Sequence, residues 1–194
     1  MIDPLPYALL AKEAYHPAAY DIDVGAFRAI LRDSPLGTCM AIAGTDDVTT
    51  ALADVEAVVP WWSMQLDCFV PAGFWHAVNG AWPEILALRA PRVICAHSLG
   101  GALALIVAAR LRALGMAPDA VLAFAPARSI PGSLLAGIEL QLYRLGEDEV
   151  PELPPDFPQP AALIPLGRAN SLLADHEIDH IIAALSHPVP GGQP

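Results

Sequence analysis

Residues 93–111 read VICAHSLGGALALIVAARL. The apolar run Val93–Ala96 lacks the alternation of a half-solvated strand, so it fits a strand buried on both faces. It turns across His97-Ser98-Leu99 into an apolar helix pattern that starts at Gly100 or Gly101 and stops at Gly115. A fully apolar strand followed at once by a nearly fully apolar helix has few homes. The strand must lie inside a mostly parallel sheet, and the helix must cover one face of it.

Other segments repeat the alternation. LPYALLAKEAY (5–15) predicts a helix, and TCMAIAG (Thr38–Gly44) a strand closed by a Gly-Thr-Asp-Asp turn. DDVTTALADVEAVV (46–59) predicts a helix, and GFWHAVNGAWPEILALR (73–89) a longer one bent near Pro83. AVLAFA (120–125) and LQLYRL (140–145) predict strands. The proline-rich stretch 150–167 predicts loop, LLADHEIDHIIAALS (172–186) a last helix, and 188–194 a frayed tail. No repeat or linker interrupts this order. The expectation is one domain over residues 1–194: an α/β three-layer sandwich, its sheet mostly parallel, with helices on both faces.

Composition narrows the partners. The chain has 194 residues, 55% of them hydrophobic and 16% charged, with a net charge of −11. Scattered basic residues on an acidic chain weigh against nucleic acid and against anionic membranes. No apolar run reaches the ~18–20 residues of a membrane span, and the N-terminal residues lack a signal-peptide pattern. Cys39, Cys68 and Cys95 show no motif spacing and read as reduced thiols, which points to the cytoplasm.

The turn at Ser98 carries the chemistry. Ala96-His97-Ser98-Leu99-Gly100 matches G-x-S-x-G except at its first residue. A serine in a sharp strand-to-helix turn stands above a helix N-terminus, where free N–H groups and the helix dipole stabilise an oxyanion. The alternative is a serine that merely caps the helix. A nucleophilic serine needs a base, and the base an orienting carboxylate. Downstream acids cluster in YRLGEDEVPELPP. Asp148 follows the strand 140–145, with Glu147, Glu149 and Glu152 as competitors. The downstream histidines are His176, His180 and His187. His97, beside Ser98, reads as structural.

Taken together these motifs resemble the class 3 lipase family, the fungal-type triacylglycerol lipases of the α/β-hydrolase superfamily. HSLGGALA (97–104) resembles that family's elbow, AIAGTDD its strand-end loop, and PAGFWHAVNGAW its H-x-G-F segment with the following helix. FAPAR resembles its G-A-P-R, and YRLGEDEVPELPP its Y-R…D-x-V-P-x-L-P-P. The resemblance runs in order from Ala41 to His176 and implies an α/β-hydrolase fold and a serine carboxylic-ester hydrolase. It implies Ser98 as nucleophile, Asp148 as acid and His176, rather than His180, as base. It implies Thr45 and Leu99 as oxyanion donors and no metal or organic cofactor. The substrate would be a small-molecule or lipid ester, met in transient contact with a lipid interface.

Two departures and one further segment bear on that reading. Ala96 replaces the first elbow glycine, and Ala43 replaces the arginine before Gly44-Thr45. These two changes motivate the alternative of a catalytically inactive, hydrolase-like lipid- or protein-binding domain. Residues 46–62 occupy the position of a lid, with Trp61 and Trp62 as candidates to line an acyl groove. Finally, HEIDH (176–180) matches the zinc motif H-E-x-x-H, but Asp179 is unusual within it and no third ligand follows at the right spacing.

Overall fold

The computed structural model describes residues 2–45, 59–167 and 171–187. The apolar run at 93–96 forms β6 (Val93–His97), buried at every position. It pairs in parallel with β3 (Gly37–Ile42) on one side and β7 (Ala120–Phe124) on the other. β8 (Glu139–Leu145) and β9 (Leu163–Leu166) continue the parallel half. Beyond β3, β2 (Phe27–Ser34) and β1 (Ile22–Val24) add antiparallel strands. The order is β1-β2-β3-β6-β7-β8-β9. A separate antiparallel pair joins β4 (Pro60–Ser63) to β5 (Cys68–Pro71).

The pleat divides the strand residues between two cores, because successive side chains point to opposite faces. Met40, Ile42, Ile94, Ala96, Val121 and Ala123 face α2 (Ala72–Ala87) and α3 (Leu99–Ala113). Cys39, Ala41, Val93, Cys95, Leu122 and Phe124 face α1 (Leu5–Glu13) and α5 (Ile178–Ser186). Both faces are covered, as the unbroken apolar strands require. Burial of a Leu or Ile side chain contributes roughly 1.5–3 kcal/mol. Leu103, Leu105 and Ile106 of α3 are among the largest fully buried side chains. Arg110 of the same helix is also buried. Its guanidinium lies 3.7 Å from the ring centre of Trp82 and 4.8 Å from that of Trp75, and burial lowers its pKa to about 10.

Several expectations change here. The segment 172–186 is two helices, α4 (Leu172–His176) and α5, because Glu177 is extended at ψ 126°. The proline-rich stretch is not all loop. It contains β9, whose Pro165 is tolerated because β9 is an edge strand and needs no outer N–H partner. β1, β2 and the β4–β5 hairpin add to the expected elements. The helix expected over 46–59 lies outside the described residues apart from Val59, and so does the tail 188–194. Pro60, Trp61 and Trp62, at the end of the expected lid segment, belong to β4.

Candidate active site

A single residue, Ser98, separates β6 from α3. Its backbone is at φ 58°, ψ −132°, a conformation that costs a non-glycine residue about 1–3 kcal/mol. The surroundings hold it there. Ser98 N–H donates to the Phe124 carbonyl at 2.9 Å, and Gly101 N–H donates to the Ser98 carbonyl at 2.9 Å. Ser98 occupies the N-cap position of α3, but its side chain makes no capping bond. The turn is also tight. A Cβ on Gly100 would stand 2.6 Å from the Ile42 carbonyl oxygen, and one on Gly101 would stand 2.7 Å from Pro126 Cβ. Ala96 is fully buried on the α2–α3 side, and the elbow accommodates its methyl group.

The freed hydroxyl meets two distant side chains. Ser98 O–H donates to His176 Nε2 at 2.8 Å, and His176 Nδ1–H donates to Asp148 Oδ2 at 2.9 Å. A carboxylate oxygen accepts only, which fixes the proton on Nδ1 and leaves the Nε2 lone pair facing Ser98. The other Asp148 oxygen accepts Val150 N–H at 3.0 Å. Ser98, Asp148 and His176 are each 1% exposed. The competing acids stand elsewhere. Glu147 and Glu149 are exposed, and Glu152 pairs with Arg128 and Arg144.

Gly44 brings the strand-end loop against the turn. A Cβ there would lie 2.7 Å from the His97 carbonyl oxygen and 3.2 Å from Ser98 Cβ, so Gly44, the residue before Thr45, packs against the turn. Leu99 is the first residue of α3, where the backbone N–H has no intrahelical acceptor. Thr45 also lines a cavity of about 560 Å³ with Leu9, Lys12, Tyr15, His97 and Ile178. At Ala43, in place of the family's arginine, the backbone N–H donates to the Arg28 carbonyl at 2.9 Å.

His97 and two residues that sequence reasoning missed complete the cluster. His97 Nε2–H donates to the His176 carbonyl at 2.7 Å, and Tyr15 O–H donates to His97 Nδ1 at 2.6 Å. Burial lowers the His97 pKa to about 3, and the neighbouring His176 adds to the shift. Asp175, fully buried, accepts Glu147 N–H at 3.0 Å. No local motif marks Tyr15. Its partner lies 82 residues away.

Trp61 and Trp62 are about half exposed on β4, near exposed Met64 and Phe69. Trp62 packs edge-on against Phe69 at 5.0 Å. The HEIDH residues do not share one helix, because the chain breaks at Glu177. His180 instead donates from Nδ1 to the Ala174 carbonyl at 2.7 Å. Among the described residues no group of His, Cys, Asp or Glu is arranged to hold a metal ion.

A strained serine elbow on a parallel sheet, bonded to a histidine and a carboxylate that follow in the order Ser-Asp-His, defines the α/β-hydrolase class. Residues 39–157 match the model of the class 3 lipases. The chain belongs to that family, and with it to the carboxylic-ester hydrolases that act on lipid esters. No curated protein matches it. Among solved structures it is similar to the triacylglyceride lipase of Rhizomucor miehei, with a TM-score of 0.66 at 18% identity over 84% of this chain and 78% of that one. It is similar to the Lip2 lipase of Yarrowia lipolytica, with a TM-score of 0.61 at 18% identity over 84% of this chain and 77% of that one. A third similar structure is a triacylglycerol lipase whose catalytic centre is described as a serine-protease triad. Its TM-score is 0.65 at 20% identity, over 78% of this chain and 74% of that one.

Proposed function

We propose that the chain hydrolyses lipid esters by acyl transfer through Ser98. His176 takes the Ser98 proton as Oγ attacks the ester carbonyl, and Asp148 stabilises the imidazolium that forms. The backbone N–H groups of Thr45 and Leu99 receive the oxyanion, typically an effect of several kcal/mol. His176 then passes its proton to the leaving alcohol. Water, activated by the same ring, releases the acid. The observation that carries this reading is the buried line Ser98 Oγ–His176 Nε2, His176 Nδ1–Asp148 Oδ2, at 2.8 and 2.9 Å. An inactive binding domain would have no use for that line, and this speaks against the alternative raised by Ala43 and Ala96.

The β4–β5 hairpin supports transient contact with a lipid–water interface. Trp61, Trp62, Met64 and Phe69 expose apolar surface there, and large aromatics suit such a boundary. Loss of Trp61 and Trp62 to alanine is expected to reduce turnover of emulsified esters while sparing dissolved ones. Equal losses on both would count against the interfacial role. The free Cys39, Cys68 and Cys95 support a reducing, cytoplasmic location, which fractionation of the producing cells tests.

Reaction with a fluorophosphonate, followed by mass mapping, tests the core of the proposal. The expected result is one adduct, on Ser98, absent in Ser98→Ala and strongly slowed in His176→Ala. Folded protein that forms no adduct, with and without detergent, would refute it.

A further inference from the structure

We propose that Tyr15 and His97 are positioning residues for the base. A neutral His97, locked in one tautomer by Tyr15, grips the main chain of His176 and thereby sets the His176 ring against Ser98. This rests on the reading of His176 as the base.

The argument starts at the helix break. In a continuous helix over 172–186 the His176 carbonyl would accept the His180 N–H. Here the His180 N–H donates to the Glu177 carbonyl instead, at 3.0 Å. The His176 carbonyl is released and turns to His97 Nε2 at 2.7 Å. His176 is therefore held at two ends. Its ring is fixed by Asp148, and its backbone is fixed by His97, a residue adjacent to Ser98 itself. Nucleophile and base are gauged against each other through one short, buried link.

The tautomer follows from the partners. A carbonyl oxygen only accepts, so His97 Nε2 carries the proton and Nδ1 carries the lone pair. The Tyr15 hydroxyl, 2.6 Å from Nδ1, donates to that lone pair. Without the tyrosine proton, only the His176 carbonyl would favour Nε2–H, and the second tautomer would present a lone pair to that carbonyl. Neutrality matters as well. The two rings lie 4.8 Å apart, so a charged His97 would oppose the positive charge that develops on His176 during acylation. Burial keeps His97 neutral.

The test compares His97→Leu, His97→Gln and Tyr15→Phe in the full chain, with p-nitrophenyl butyrate as substrate and fluorophosphonate labelling as a second readout. His97→Leu is expected to lower kcat and the labelling rate on the order of 10–100-fold with KM little changed, as a small misplacement of a reacting group does. His97→Gln, whose amide N–H falls where Nε2–H was, is expected to restore most of the rate. Tyr15→Phe is expected to lower kcat by roughly 3–10-fold and to shift the ¹⁵N signals of His97 toward a mixture of tautomers. Wild-type kcat in folded His97→Leu would overturn the proposal. So would a His97→Gln protein as impaired as His97→Leu, or unchanged ¹⁵N signals and kcat in Tyr15→Phe. Tyr15→Phe removes a single oxygen and carries the test if His97→Leu does not fold. Full labelling of His176→Ala would instead show that the reading of the base is wrong.

Discussion

The carboxylate of Asp175 accepts the backbone N–H of Glu147 at 3.0 Å. The two residues are each one step from the side chains that meet above Ser98, His176 and Asp148. This bond ties the helix that carries His176 to the loop that carries Asp148. A hydrogen bond to a charged group contributes about 1.5–3 kcal/mol. Asp175→Ala is expected to lose stability of that order and to lose kcat, since the segments that carry His176 and Asp148 are released. Urea unfolding and ester kinetics measure both. An active variant of unchanged stability would show that the tie is incidental.

Asp148→Asn separates orientation from fold. The amide keeps an oxygen for Val150 N–H, while its NH₂ group faces His176 Nδ1 and favours the wrong tautomer. By analogy with other serine hydrolases, kcat is expected to fall by about 10⁴-fold with the fold intact. A loss of only a few-fold in the folded variant would mean that Asp148 is not the orienting acid.

His97 gives the protein a pH dependence of stability with a definite sign. Burial, with His176 nearby, lowers its pKa from 6.5 to about 3. The unfolded chain takes up a proton at this residue below about pH 6.5, and the folded chain refuses it until about pH 3. Stability is therefore unaffected by this group above pH 6.5. It is lost as pH falls toward 3, by up to roughly 1.4 kcal/mol per pH unit. Urea midpoints across this range are expected to slope less steeply in His97→Gln. Parallel slopes in the two proteins would assign the excluded proton to another group.

The two small residues of the elbow are not equivalent. Gly100→Ala would place a methyl 2.6 Å from the Ile42 carbonyl oxygen, an overpacking that typically costs about 1–3 kcal/mol, and it would displace Ser98 as well. Ala96→Gly meets no such contact and is expected to keep activity, with a loss of about 0.5–1 kcal/mol from added chain freedom. Thermal midpoints and fluorophosphonate labelling rates of the pair give the comparison. Rapid labelling of Gly100→Ala at wild-type stability would be incompatible with the close packing described.

Much of the molecule could be read from local pattern. The apolar run of β6, the continuous apolar face of α3 and the glycines after Ser98 imply a parallel sheet, a covering helix and a sharp turn. These are consequences of hydrophobic period and steric size, which a sequence displays directly. The placement of Asp148 after β8 was legible for the same reason. The edge strand β9 was not, because its proline argued for loop until its place at the sheet edge removed the objection.

The site itself needed three dimensions. Ser98 and His176 are 78 residues apart, and no local rule distinguishes His176 from His180 once both are read on one helix. In the folded chain it is His176 that bonds Ser98 and Asp148, while the helix breaks at Glu177 and the His176 carbonyl accepts from His97. Tyr15 is the same case. Its sequence neighbours say only that it lies near the end of a helix, while the fold brings its hydroxyl to a buried imidazole. Sequence by itself determined the layers, the elbow and the kind of chemistry, because hydrophobic period and backbone sterics are local. Only the tertiary structure decided which polar groups complete one another, because a buried hydrogen bond is set by where distant segments meet.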